Sequence, residues 1–124
     1  MDEKKENNGS AKGTDLPIGR DTERVLKEWM ALEDNLPKSL RYTIAPIVIK
    51  TLAQMIADVY FANSVKEERK YHLTNFIARL QCVKGLTRAL HEAQAISHKK
   101  SDYLSTMYEN ISKQAVKWKN YSRV

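Results

Sequence analysis

Residues that build turns and cross-links are scarce in this 124-residue chain, which has four Gly, three Pro and one Cys. Few Gly and Pro disfavour a turn-rich β sandwich, and 42% hydrophobic with 29% charged residues is typical of a protein of long helices. The single Cys82 excludes a disulfide within the chain, and we expect it to be a small buried apolar residue. A chain of this length can bury a core as one domain without disulfides or metal.

Long apolar runs are also lacking. No uninterrupted run approaches the roughly 20 residues that cross a bilayer, and the first residues, MDEKKENNGSAKG, contain no apolar segment of a signal peptide. The sequence therefore predicts a cytoplasmic protein without a membrane segment.

Motifs for catalysis and metal binding are missing as well. The spacing of His72, His91 and His98 fits no metal motif, and there is no Gly-rich phosphate loop or nucleophile elbow. The Arg and His spacing of helical ribonucleases is absent, which makes an RNA-cleaving enzyme improbable. We expect Asp58 and Glu92 to be solvated carboxylates. The sequence predicts no catalytic residue, no metal and no cofactor.

What the chain does contain is helical periodicity. We expect a disordered tail over residues 1–20, followed by a domain of four helices over residues 21–124. Helix one is predicted from an Asp21 or Thr22 cap until Pro37, and helix three from about Lys66 to Gln94 with a period near 3.5. After the loop ISHKKS, Ser101 is predicted to cap helix four. Short connections predict an antiparallel up-down-up-down four-helix bundle.

Helix two is the exception to this simple pattern. It is capped by Ser39 or Thr43 and runs to about Asn63, and Pro46 either lies in its first turn or bends it. Its apolar residues spread over roughly half of the circumference, whereas a helix facing one core needs little more than 100°. The flanking helices could cover the surplus, or the surplus could be a contact between copies of the chain. Lys50, Gln54 and Asp58 are predicted to form the solvated ridge.

Charge is distributed unevenly, with a net charge of +6. Residues 1–35 hold six Lys or Arg and nine Asp or Glu, whereas residues 36–124 hold fifteen and six, a balance of +9. A domain this basic attracts polyanions, so we expect sequence-independent contacts with the phosphates of nucleic acid. The alternative is an acidic protein surface. The candidate nucleic-acid-binding residues are Lys38, Arg41, Lys70, Lys84, Arg88, Lys99, Lys100, Lys113, Lys117 and Lys119.

Three segments resemble a known family. LPKSLRYTIAPIVIKTLAQMIADVYFAN, FIARLQCVKGLTRALHEAQ and YLSTMYENISKQAVKWKN resemble the accessory variability determinant of diversity-generating retroelements over about residues 22–121. The most specific parts are a P-[KR]-x-x-R-Y helix start, an Ala-Asn helix end and a late Trp. Pro46 departs from the family pattern. The matching residues are Pro37, Lys38, Arg41, Tyr42, Ala62, Asn63 and Trp118.

The resemblance implies a basic four-helix bundle that assembles as a homopentameric ring. It implies binding to nucleic acid, including template RNA, and to the reverse transcriptase of the element, in support of mutagenic retrohoming. The bundle itself would not be the enzyme. The alternatives are a four-helix bundle protein of the ribosomal RNA intervening-sequence type and a structural adaptor oligomer that binds an acidic protein.

Overall fold

The computed structural model describes residues 16–122, and within that range the secondary structure is entirely helical. Most of the predicted N-terminal tail therefore lies outside the described residues. A short 3-10 turn, Lys66–Glu68, precedes the fourth helix in the chain. The prediction of an all-α protein with four long helices is confirmed. The helices are α1 (Pro17–Glu33), the short α2 (Lys38–Arg41), α3 (Ile44–Ser64), α4 (Arg69–Glu92) and α5 (His98–Tyr121).

The four long helices share one core. Each of α3, α4 and α5 packs against the long helix before it, and α5 also contacts α1. Buried positions in α3 and α4 alternate at three and four residues, which keeps one apolar stripe on the core side along the whole helix. This spacing confirms the period predicted for α4. The stripes are Ala45, Val48, Leu52, Met55, Val59 and Ala62 in α3, and Leu73, Phe76, Leu80, Val83, Thr87 and Leu90 in α4.

The start of α1 corrects the sequence prediction. The helix begins at Pro17 and not at Asp21 or Thr22, so residues 17–20 belong to the fold and not to a tail. Proline fits the first helical turn because its missing N–H would have no partner there. Thr22 does not cap, because it is buried one turn inside the helix, where its hydroxyl donates to the Ile18 carbonyl over 2.7 Å.

The start of α3 decides between the two alternatives for Pro46. The helix begins at Ile44 with Thr43 in the N-cap position, which places Pro46 in the first turn. The backbone N–H that proline lacks has no helical partner at that position, so the helix need not bend. Ser39 instead lies within the separate short helix α2.

The connection between α4 and α5 differs from the predicted loop. Gln94 has a left-handed φ of 61°, and the Ala95 N–H donates to the Leu90 carbonyl over 2.8 Å, which ends α4 in a Schellman motif. The predicted cap Ser101 is wrong. Ser97 caps α5, because its hydroxyl oxygen accepts from the Lys100 backbone N–H over 3.0 Å.

One helical stretch of the described chain, Lys38–Ser64, is long and apolar enough to cross a membrane, by length and composition alone. Its most apolar window has a mean hydropathy of 1.4, and 33% of that window is buried inside the protein. The same stretch supplies the core residues of α3.

Candidate nucleic-acid interface

A cleft between α4 and α5 brings together part of the predicted cationic set. The cleft has a volume of about 260 Å³. Cationic and imidazole side chains from α4 face hydroxyls from α5 across it, and two buried side chains form its floor. The lining residues are Lys84, Arg88 and His91 from α4, Ser101, Ser105 and Glu109 from α5, and Thr87 and Tyr108 at the floor.

A chain of buried hydrogen bonds fixes the floor of the cleft. The Trp29 indole N–H donates to the Tyr108 hydroxyl over 2.9 Å, and the hydroxyls of Tyr108 and Thr87 are 2.8 Å apart. Thr87 donates its only hydroxyl proton to the Val83 carbonyl over 2.7 Å, so the Tyr108 proton must point to Thr87. Burial raises the pKa of the Tyr108 hydroxyl, although the hydrogen bond that its oxygen accepts from Trp29 acts in the opposite direction. The network joins α1, α4 and α5.

No described residue forms an ion pair with either of the two permanent cations of the cleft, Lys84 and Arg88. The side chains of Lys84 and Arg88 form no ion pair or hydrogen bond with any other residue in the range 16–122. At the rim, His98 Nδ1 lies 3.4 Å from His91 Nε2, and His98 Nε2 lies 3.3 Å from a carboxylate oxygen of Asp102. Glu109 is the one carboxylate that lines the cleft. The positive charge is therefore available to a ligand.

A second cationic surface continues along α5. Lys113 and Lys117 are exposed and lie one turn apart, beside the exposed side chains of Val116 and Tyr121. Lys113 follows Glu109 by one turn, so the surface begins where the cleft ends. We call Lys84, Arg88, His91, Lys113 and Lys117 together the cationic face.

The remaining predicted residues do not join this face as one cluster. Lys70 shares the side of α4 that holds Lys84, but fourteen residues separate them, which is about 21 Å along the axis. Lys38 and Lys99 are exposed on α2 and at the start of α5, and Lys119 is half-buried near the end of α5. The helical periodicity of the sequence predicted correctly that Lys70 and Lys84 lie on the same side of α4. It did not take into account how far apart they lie along the helix axis.

Two predicted nucleic-acid-binding residues have structural contacts instead. The Lys100 ammonium lies 3.2 Å from a Glu28 carboxylate oxygen, which ties α5 to α1. The Arg41 guanidinium donates to the carbonyls of Asp34 and Leu36 over 3.0 and 3.3 Å, beyond the end of α1. The Arg41 Nε atom is buried without a hydrogen-bond partner. These contacts leave Lys100 and Arg41 less free to bind phosphate than Lys84 or Arg88.

Asp58 contradicts the prediction of a solvated ridge. It is 5% exposed, and both of its carboxylate oxygens accept from the Arg79 guanidinium over 2.7 and 2.6 Å, joining α3 to α4. Burial raises the pKa of the Asp58 carboxyl, while Arg79 opposes that rise.

Glu92 is exposed, as predicted. Cys82 is exposed, so the prediction of a buried cysteine is wrong; its neighbour Val83 occupies the core position.

The outward side of α3 has a different character, and we call it the α3 outer face. Its exposed residues carry one charged side chain, Lys50. Ile47 and Tyr60 are 50% and 54% exposed, despite their apolar bulk. The face consists of Pro46, Ile47, Lys50, Ala53, Gln54, Ala57, Tyr60, Phe61 and Ser64.

Aromatic side chains extend the α3 outer face onto α4. The Phe61 ring packs edge-on against Tyr60, with 5.4 Å between ring centroids, and stacks on His72 at 5.3 Å. Tyr71 packs edge-on against His72 at 5.1 Å and is itself exposed. This row joins the end of α3 to the start of α4.

Comparison with known proteins adds no relative to this description. No protein-family model matches the chain. Searches of the curated proteins and of the solved structures also found no significant match.

Sequence reasoning missed the α5 side of the cleft. Ser101, Ser105 and Glu109 are spaced four residues apart, which places them on one side of a helix, but nothing in that spacing shows which helix they face. The packing of α4 on α5 supplies that information.

Proposed function

We propose that this protein is a non-catalytic accessory protein that binds nucleic acid through the cationic face. The observation that carries the proposal is the unpaired state of the cations. Lys84, Arg88, Lys113 and Lys117 form no ion pair with any described residue, and Glu109 is the one carboxylate lining either surface. Unpaired Lys and Arg release counterions from phosphates, which favours binding to any sequence.

The topology proposed for the bundle is antiparallel, up-down-up-down. Contacts between helices support it, because the order of contact residues reverses in the pairs α1–α5 and α4–α5. Asp21 accepts from Gln114, and Glu28 pairs with Lys100, so early residues of α1 meet late residues of α5. Thr87 meets Tyr108 and His91 meets His98 in the same manner across α4 and α5.

The proposed assembly uses the α3 outer face, and the resemblance to the accessory variability determinant implies a homopentamer. An exposed helix face with one charge and several large apolar side chains is typical of an interface between protein chains. The cationic face lies on α4 and α5 and would remain free for nucleic acid.

The proposed biological setting is a diversity-generating retroelement in the cytoplasm. Resemblance to the accessory variability determinant supports a role beside a reverse transcriptase, with template RNA or other RNA or DNA as the nucleic acid. In that role the bundle binds and positions, and the partner carries out the copying.

Fluorescence anisotropy with labelled single-stranded RNA at several salt concentrations tests nucleic-acid binding. We expect measurable affinity at low salt and a linear fall of log affinity with log salt, because phosphate contacts release counterions. Absence of binding at low salt, or an affinity that salt does not change, would contradict the proposal. A protein that prefers an acidic polypeptide would be displaced from RNA by polyglutamate more readily than by unlabelled RNA of equal charge.

A further inference from the structure

The shape of the α4–α5 cleft limits what it can hold. Its volume of about 260 Å³ is smaller than the roughly 300 to 1,000 Å³ of pockets for drug-sized ligands. The cleft is half-enclosed, with walls from two helices and a floor of buried side chains. It suits a small polar group that enters from one side.

Hydrogen-bond donors converge on the cleft from both walls. Lys84 and Arg88 bring permanent positive charge from α4, and neither has a partner within the described range. The hydroxyls of Ser101 and Ser105 face them from α5 and likewise form no hydrogen bond within that range. An arginine guanidinium offers several donors in a fork that matches the oxygens of phosphate.

The floor and the far end of the cleft define its specificity. The hydroxyl protons of Thr87 and Tyr108 are used within the buried network, so the floor adds no strong donor. Glu109 contributes a negative charge that offsets one of the two permanent cations. A ligand must therefore interact strongly with Lys84 and Arg88 to overcome the repulsion from Glu109.

We propose that the cleft binds a phosphate monoester at the end of a nucleic-acid strand. An internal phosphodiester carries one negative charge and has chain on both sides, whereas a terminal phosphate carries up to two charges and projects three oxygens. A one-sided cleft with converging donors matches the terminal group. The inference rests on the proposed function and adds recognition of a strand end to sequence-independent binding.

The test compares three single-stranded RNAs of one sequence, carrying a 5′-phosphate, a 3′-phosphate or hydroxyls at both ends. We expect the wild-type protein to bind one of the phosphorylated strands about tenfold more tightly than the unphosphorylated strand, since bonds to charged groups contribute about 1.5 kcal/mol or more. Anisotropy titrations at fixed salt give the three affinities.

Matched variants distinguish binding of the terminal phosphate in the cleft from attraction of RNA by the positive charge of the protein as a whole. Arg88→Ala should abolish the preference for the phosphorylated strand, whereas Lys70→Ala removes the same charge from the same helix, away from the cleft, and should preserve it. Glu109→Gln should increase the preference, a gain that loss of folding cannot produce. Arg88, Lys70 and Glu109 are all exposed, so we expect the three variants to fold.

Each remaining outcome is decisive. Equal affinity for all three strands would overturn the cleft proposal and leave the proposed function standing. Inorganic phosphate that binds the wild-type cleft without any preference among the strands would assign the cleft to a free phosphate compound, which also overturns the proposal. No binding of any strand would overturn the proposed function itself.

Discussion

The α3 outer face and the cationic face belong to helices with the same inner pattern, yet their outer surfaces differ sharply. Both α3 and α4 place core residues at alternating steps of three and four. Outside, α3 exposes apolar and aromatic side chains with one Lys, whereas α4 and α5 expose unpaired cations beside a polar cleft. The inner stripe determines how a helix packs, so specificity for partners must come from the outer faces.

The contacts behind the two faces also differ. An ion pair between Asp58 and Arg79 joins α3 to α4, whereas neutral hydroxyl and indole groups join α1, α4 and α5 beneath the cleft. Because Asp58 is buried, its carboxylate would be costly to leave without Arg79. Because the network beneath the cleft is neutral, it supplies no charged partner for Lys84 or Arg88.

The largest expected effect comes from placing a charge in the middle of the α3 outer face. Ala57→Glu should convert the proposed oligomer to a monomer of 14.3 kDa, because a carboxylate buried between copies of the chain would lack a partner. Ala78→Glu places the same charge on the exposed side of α4 and should leave the assembly intact. Sedimentation equilibrium measures both masses. A monomeric wild-type protein at micromolar concentrations would contradict the interface.

The second-largest effect is expected at the ion pair between Asp58 of α3 and Arg79 of α4. Arg79→Met leaves the Asp58 carboxylate buried without its partner, and we expect a loss of about 2 to 3 kcal/mol in the free energy of unfolding. That is less than the 3 to 5 kcal/mol of a fully buried pair, because the Arg79 side chain is 34% exposed. Urea denaturation measures the loss. The double variant Asp58→Leu with Arg79→Met should recover most of it.

The pH dependence of this loss has a definite sign. The folded-state pKa of Asp58 is already raised by burial, and removing Arg79 raises it further. A raised carboxyl pKa makes the folded state bind its proton more readily than the unfolded state, so stability is lost as pH rises through the folded pKa. The deficit of Arg79→Met should therefore be largest at neutral pH and shrink in acid. A deficit that grows in acid would refute this assignment.

A smaller effect is expected beneath the cationic face. Tyr108→Phe removes the hydroxyl that accepts from Trp29, leaving a buried indole N–H without a partner, at a cost of about 1 to 3 kcal/mol. Tyr103→Phe makes the same change at an exposed position of α5 and should alter the stability by less than about 0.5 kcal/mol. Thermal and urea unfolding compare the two. Equal losses would show that the buried network contributes nothing specific.

The smallest effect separates capping from ligand binding at the start of α5. Ser97→Ala removes the side-chain cap and should cost about 1 kcal/mol of stability. Ser101→Ala should leave stability nearly unchanged, because Ser101 faces the cleft and caps nothing. Urea unfolding of the two variants gives the difference. A larger loss of stability in Ser101→Ala than in Ser97→Ala would show that Ser101 is the cap of α5.

The fold was largely predictable, because helices that pack on one core have apolar residues at regular steps of three and four in the sequence. The stripe Leu73, Phe76, Leu80, Val83 predicts both the extent of α4 and its inner side. Helix starts were harder to predict, since several Ser, Thr and Asp residues near each boundary can cap. Pro17 is a residue type that favours the first turn of a helix, and α1 does begin there. It was overlooked because the polar composition of residues 1–20 predicted a disordered tail.

The sequence predicted which cationic residues belong to the candidate site, but it did not predict how they are arranged around the cleft between α4 and α5. Lys84, Arg88, Lys113 and Lys117 follow from composition and periodicity, but the cleft exists only because α4 packs on α5. Asp58 was assigned to solvent because charged residues are seldom buried, although it lies three residues after the core residue Met55. Its partner Arg79 is on another helix, and only the packing of α3 on α4 pairs them.

The central claim is that nucleic acid binds the cationic face, and the most direct measurement is the salt dependence of affinity for single-stranded RNA. The variant Lys84→Gln, Arg88→Gln, Lys113→Gln, Lys117→Gln is compared with a control of equal charge, Arg24→Gln, Lys27→Gln, Lys66→Gln, Lys70→Gln, whose changes lie on exposed sites outside the cationic face and the α3 outer face. We expect the slope of log affinity against log salt to become shallower by about 3 in the first variant, at about 0.7 per lost phosphate contact, and to stay near the wild-type value in the control. Equal slopes in the two variants would contradict the claim.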